Sequence, residues 1–146
     1  MSKADTWENG LLDLVLRNTD FTGVGDAGGL RGSAAAGSLY ISLHTSDPGE
    51  AGDQTTNETA YTNYARVAVG RGSGFAAASG GASSNAAAVT FPQCGATGAT
   101  ITHFGIGTAS TGAGKLLYSG ALSSSLAVSN GITPEFAAGD LDITEG

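Results

Sequence analysis

The chain has 146 residues, 24 of them glycine, with 13% charged residues and a formal net charge of −7. That length suits one compact domain able to bury about two-thirds of its unfolded surface. Six Lys and Arg against thirteen Asp and Glu exclude the basic stripe that phosphate binding needs, so nucleic acid is not an expected partner.

Asp5 to Asn18 read as the one helix. Asp5 is placed to cap it and Glu8 to complete a capping box, while Trp7, Leu11, Leu14 and Val15 form an apolar stripe that Leu12 and Leu16 widen. Gly10 weakens this helix by about 1 kcal/mol relative to Ala. The segment GVGDAGGLRGSAAAG, Gly23 to Gly37, has no periodicity and reads as a flexible linker or long loop.

The first strand expected is Leu39–His44, with Leu39, Ile41 and Leu43 on one face and Tyr40, Ser42 and His44 on the other; Asp47-Pro48-Gly49 ends it in a turn. Glu50 to Thr62 is polar and predicts an exposed loop. Further strands are expected at Tyr64–Val69, weakly at Phe75–Ala78, then at Ala86–Phe91, Thr100–Ile106, Lys115–Ser119, Leu126–Val128, Thr133–Phe136 and Leu141–Thr144, with Gly, Asn-Gly or Gly-Asp between them. The class predicted is mainly β, an antiparallel β-sandwich or jelly-roll-like domain with one N-terminal α-helix. Its division runs as a helical arm over 1–22, a Gly-rich linker over 23–38 and a β-sandwich domain over 39–146.

Most other residues are small, and a thin, Gly-rich core gains from burial against neighbouring subunits. No apolar run approaches the roughly 18 residues that span a bilayer, so no membrane partner is expected. The N-terminus lacks the basic-then-apolar pattern of a secretory signal, which predicts cytoplasmic synthesis without export. Cys94 is the only cysteine and has no second thiolate for a disulfide or metal site.

Searches for chemistry fail on context. Gly23-x-Gly25-x-x-Gly28 matches a dinucleotide fingerprint in letters, but a helix precedes it and a loop follows, the reverse of what pyrophosphate binding requires. In Thr111-Gly-Ala-Gly-Lys115 the residue after the lysine is Leu116, where a phosphate loop has a hydroxyl for magnesium. His44 and His103 both lie on predicted strands and are able to meet across a sheet, without a third ligand marked by spacing. Carboxylates between Asp47 and Glu58, and at Asp140, Asp142 and Glu145, do not fit a calcium loop. No cofactor, metal or catalytic residue is expected, and Asn57-Glu58-Thr59 is a glycosylation sequon in form only.

The ordered blocks LYISLHTSDPGEAG, YARVAV, GGASSNAAAVTFP, ITHFGIGTASTGAGKLLYSGAL and FAAGDLDI, with ENGLLDLVLRNT before them, resemble a family of small tailed-phage virion proteins often labelled tail fibre proteins. The resemblance covers about Leu39 to Ile143. It implies a non-enzymatic structural component of the phage particle with no active site to transfer. The leading expectation is an accessory capsid decoration, or cement, protein on the head surface. It would be a homo-oligomer, a trimer being the form expected, partnered with the major capsid protein or other virion proteins and made in the host cytoplasm. The alternative is a tail fibre or baseplate component involved in host attachment, with exposed loops such as Glu50 to Thr62 meeting surface glycans. Trp7, Leu11, Leu14 and Val15 are the expected assembly interface.

Overall fold

A computed structural model describes residues 1–146. The protein is mainly β, 34% strand and 9% helix, with antiparallel sheets, one helix and no barrel, as the periodicities predict. Helix α1 spans Asp5–Arg17. The strands are β1 (Ser38–His44), β2 (Val67–Gly70), β3 (Ala82–Ser84), β4 (Val89–Thr90), β5 (Ala99–Gly107), β6 (Leu116–Val128), β7 (Glu135–Phe136) and β8 (Asp142–Thr144). They form one four-stranded sheet in the order β2-β1-β5-β6 and two pairs, β3-β8 and β4-β7.

The chain divides into two compact units, and neither is contiguous. The first holds Met1–Ser38, Val69–Val89 and Phe136–Gly146, the second Leu39–Ala68 and Thr90–Glu135. This grouping runs differently from the contiguous division 1–22, 23–38 and 39–146, because segments remote in sequence share hydrogen bonds.

In the first unit, α1 begins after Ala4, whose side chain makes no cap, so the box expected from Asp5 and Glu8 does not form. Both carboxylates instead sit in the first turn, where they favour the positive end of the helix dipole. Asn18 ends the helix in the left-handed conformation, φ 59°. The face of α1 carrying Leu12 and Leu16 is the buried one, in a unit whose core also holds Phe75, Leu141 and Ile143. Asn9 and Asp13 accept from the backbone N–H groups of Gly81 and Ala78, each at 2.9 Å, which ties α1 to the segment entering β3.

The Gly-rich stretch is a closed loop. Asn18 exchanges two hydrogen bonds with the Ser33 backbone, at 2.9 and 2.7 Å, Asp20 accepts from Gly32 N–H, and Phe21 bridges Leu30. Arg71 fastens it to the helix: Nε and Nη2 each donate at 2.6 Å to the carbonyls of Val15 and Leu14, and Nη1 donates to Ser33 Oγ at 2.9 Å. Gly10 has a purpose the propensity argument does not reveal, since a Cβ there would run into the Phe21 ring.

In the second unit, β1 pairs antiparallel with β5 through Tyr40↔Gly107 to His44↔His103, and β5 pairs antiparallel with β6. Leu39, Ile41, Leu43, Ile101, Ile106 and Phe91 are buried, and so are Ser42 and His44 on the opposite face of β1, which is therefore covered on both sides. The stretch Glu50 to Thr62 departs from expectation. Gln54 is fully buried, Thr59 and Tyr61 nearly so, and Gln54 Oε1 accepts from Ala109 N–H at 2.9 Å while its backbone N–H donates to Ala113 at 2.9 Å. The polar pattern marks a loop, but its glutamine fills the space over Gly107, where a Cβ would strike it.

Several strand boundaries move as well. Tyr64 to Arg66 are not strand, Phe75 makes only an isolated bridge to Asn85, and β3 had no sequence signal. The two short strands expected at Lys115–Ser119 and Leu126–Val128 are one 13-residue strand, β6. Gly120, read as a breaker, pairs with Phe104, whose ring occupies the place of the missing Cβ.

Candidate functional site

The histidines do meet in the ladder, as direct register partners. His44 is fully buried, and its Nδ1 lies 2.8 Å from the Thr56 carbonyl. A carbonyl only accepts, so Nδ1 carries the proton and Nε2 accepts from Ser42 Oγ at 2.8 Å. Burial, the largest cause, lowers the His44 pKa from its ordinary 6.5, against opposing contributions from the Thr56 hydrogen bond and Glu58. The Ser42–His44 contact has nucleophile-and-base distances but no access: Ser42 is fully buried too, and Leu116 lies close over Gly105 opposite. His103 points its Nδ1 at Thr102 Oγ1, 2.8 Å away, and is half-buried.

A second cluster braces the loops. Arg66 donates to both carboxylate oxygens of Glu58, at 2.7 and 2.8 Å, and to the carbonyls of Ala109 and Gly112, each at 2.8 Å. Tyr64 donates its hydroxyl to Glu58 at 2.8 Å and accepts from Leu43 N–H at 3.1 Å. Burial pushes its phenol far above the usual range. With Arg66 only 3% exposed in its side chain, the cluster is spent on holding the fold. Tyr61, the one aromatic in the loop considered for glycans, is buried with its hydroxyl donating to Pro92 O at 2.8 Å, and burial raises it to about 12.

On α1 the expected interface residues are only partly covered. Trp7 is exposed and lies against Phe21 with ring centroids 5.5 Å apart, while Leu11, Leu14 and Val15 are half-buried. Leu12 and Leu16 carry the contact with the unit's own core.

The least covered element is β6. It is the edge of the four-stranded sheet, and of its 13 residues only Val128 is buried. Leu117 and Leu126 are 38% and 37% exposed. Its sequence LLYSGALSSSLAV has no charge and no proline. The pairs Ile101↔Leu126 and His103↔Ala121 set the four residues Leu122 to Ser125 against Thr102 alone, a four-residue bulge in the strand, and a second register shift skips Leu117.

Beside it runs a cleft of about 530 Å³, lined by Leu116 to Ala121, by His103, and by Asp47, Gly49, Glu50 and Gly52 of the turn after β1. Because its lining combines β6 with His103 of β5 and the turn after β1, the cleft lies over the sheet on the side of the inner strands, not beyond the outer edge of β6. No spacing rule in the sequence marks this; the uncharged run from Leu116 to Val128 was the available signal.

One protein family, described as podophage GP4 fiber I protein gp80, matches residues 2–144. The chain belongs to that family. It is thus a structural protein of the phage virion, of a fibre type. The match fits the tail fibre alternative better than the capsid decoration placed first on sequence, and it gives no support to the head surface. No curated protein matches the chain.

Proposed function

We propose that the chain is a non-enzymatic structural subunit of the tail fibre, active in host attachment, and that it works as a homo-oligomer among other virion proteins. The observation that carries this is the family match from residue 2 to residue 144, which covers both units rather than one shared module. The absence of catalysis is supported by the one serine–histidine contact, both of whose residues are fully buried. The partly exposed stripe Trp7, Leu11, Leu14 and Val15 serves in this reading as a contact with a neighbouring virion protein.

Immunogold labelling of intact particles with an antibody to this chain tests the location. Label at the tail is the expected result. Label on the head lattice would return the protein to a decoration role.

A further inference from the structure

We infer that the cleft over β5 and β6 is a binding site for a neutral saccharide, held between the turn after β1 and the sheet face that carries His103. The inference rests on the host-attachment reading and names the class of molecule gripped. Sheet register builds the floor of the site. Directly opposed residues share a face, so the pairs His44↔His103, His103↔Ala121 and Gly105↔Ser119 put His103, Ser119 and Ala121 side by side. Gly105 and Ala121 keep that floor low, and Leu116, whose Cδ1 lies 2.8 Å from where a Gly105 Cβ would stand, closes one end. Asp47, Gly49, Glu50 and Gly52 form the facing wall. The wall is set before any ligand arrives: Asp47 Oδ1 accepts from Gly49 N–H at 2.8 Å, Gly52 N–H donates to the Gly49 carbonyl at 3.2 Å, and Asn57 Nδ2 donates to the Asp47 carbonyl at 2.9 Å. The space between floor and wall, about 530 Å³, falls within the roughly 300–1,000 Å³ of small-molecule sites.

The groups along this space select the ligand class. Asp47 and Glu50 are exposed and neither belongs to an ion pair. As acceptors they suit the O–H donors of a sugar and repel phosphate, sulfate or carboxylate. His103 engages Thr102 Oγ1 through Nδ1 and keeps Nε2 for a ligand, and Ser119 brings a hydroxyl able both to donate and to accept. Leu116 and Leu117 supply aliphatic surface for the C–H groups of a sugar ring. A metal ion is a poor match, since no three His, Cys, Asp or Glu side chains converge to hold one. A lone ammonium or guanidinium would answer the two carboxylates and leave His103, Ser119 and the leucines unmatched. Acceptors, donor–acceptor groups and aliphatic carbon along one trough complement a polyhydroxylated ring.

The test is an NMR titration of the isotope-labelled full chain with galactose, glucose, lactose, maltotriose and N-acetylglucosamine, and, as contrasts, with inorganic phosphate, calcium chloride and a tetralysine peptide. Saturable amide shifts confined to Gly49, Gly52, His103, Ser119 and Gly120 are expected with at least one of the sugars. Asp47→Asn combined with Glu50→Gln keeps both side-chain sizes and an oxygen for Gly49 N–H. It should weaken that binding about tenfold or more, the worth of one hydrogen bond to a charged group, at an unchanged melting temperature. Ala121→Phe, at an exposed position, should fill the floor and abolish binding. Shifts with none of the sugars, shifts centred elsewhere such as Trp7 and Phe21, a response to calcium, phosphate or the peptide alone, or an affinity that neither variant changes would overturn the assignment. The attachment reading fails separately: immunogold label on the head with sugar bound in the cleft would defeat that reading and not the site, whereas label on the tail with no sugar bound would defeat the site alone.

Discussion

His44 and His103 stand directly opposite each other on β1 and β5, yet His44 is fully buried with both ring nitrogens engaged and His103 lines the open cleft beside β6. The pair shares a face of the sheet but not an environment. The strap from Glu50 to Thr62, whose Thr56 carbonyl holds Nδ1, closes over His44.

This difference predicts a pH dependence. The His44 pKa is lowered in the folded protein, chiefly by burial, with Arg66 and His103 adding to the effect and Thr56 and Glu58 opposing it. The unfolded chain therefore binds the proton more readily, and stability is fully present above the unfolded value of 6.5 and is lost as pH falls through the folded value. Urea midpoints measured from pH 8 down to pH 5 should fall below about pH 6.5, and His44→Gln should flatten that part of the profile. An equal slope in the two proteins would remove His44 as its source.

Arg66→Met should destabilise the protein by about 3–5 kcal/mol, because it leaves the nearly buried Glu58 carboxylate without its bidentate partner. Arg66→Lys should recover little, since a point ammonium cannot reach two carboxylate oxygens and the Ala109 and Gly112 carbonyls together. Chemical unfolding of the two variants decides this.

Gly105→Ala places a Cβ 2.7 Å from both His44 Nε2 and Ser42 Oγ and 2.8 Å from Leu116 Cδ1. Overpacking of that kind costs about 1–3 kcal/mol. The expected melting temperature, followed by circular dichroism, is lower.

Arg71→Ala should free the last turn of α1 and the loop from Asn18 to Ser33 together, as one guanidinium holds Leu14, Val15 and Ser33. Amide hydrogen exchange should speed up in both segments at once while β1 and β5 stay protected. Faster exchange in the helix alone would mean that the loop is held by Asn18 and Asp20 without the arginine.

Much of the fold was legible in the sequence because it follows from local periodicity. The stripe Trp7, Leu11, Leu14 and Val15, widened by Leu12 and Leu16, specifies a helix, and the alternation from Leu39 to His44 and from Thr100 to Ile106 specifies strands that recur as β1 and β5, although β1 is buried on both faces from Ile41 to His44. The absence of basic clusters and the order of the sequence blocks set the functional class. Tertiary structure alone decided what depends on residues far apart in the chain. It turned the polar Glu50 to Thr62 stretch inward, since Gln54 finds Ala109 and Ala113 across a gap that Gly107 leaves open. It also joined Leu116 to Val128 into one strand, because both ends pair with β5, at Gly107↔Leu116 and at Ala99↔Val128. Composition records that β6 is uncharged; only the strand order shows that it is an edge, because its position beside β5 is set by pairing between segments far apart in the chain.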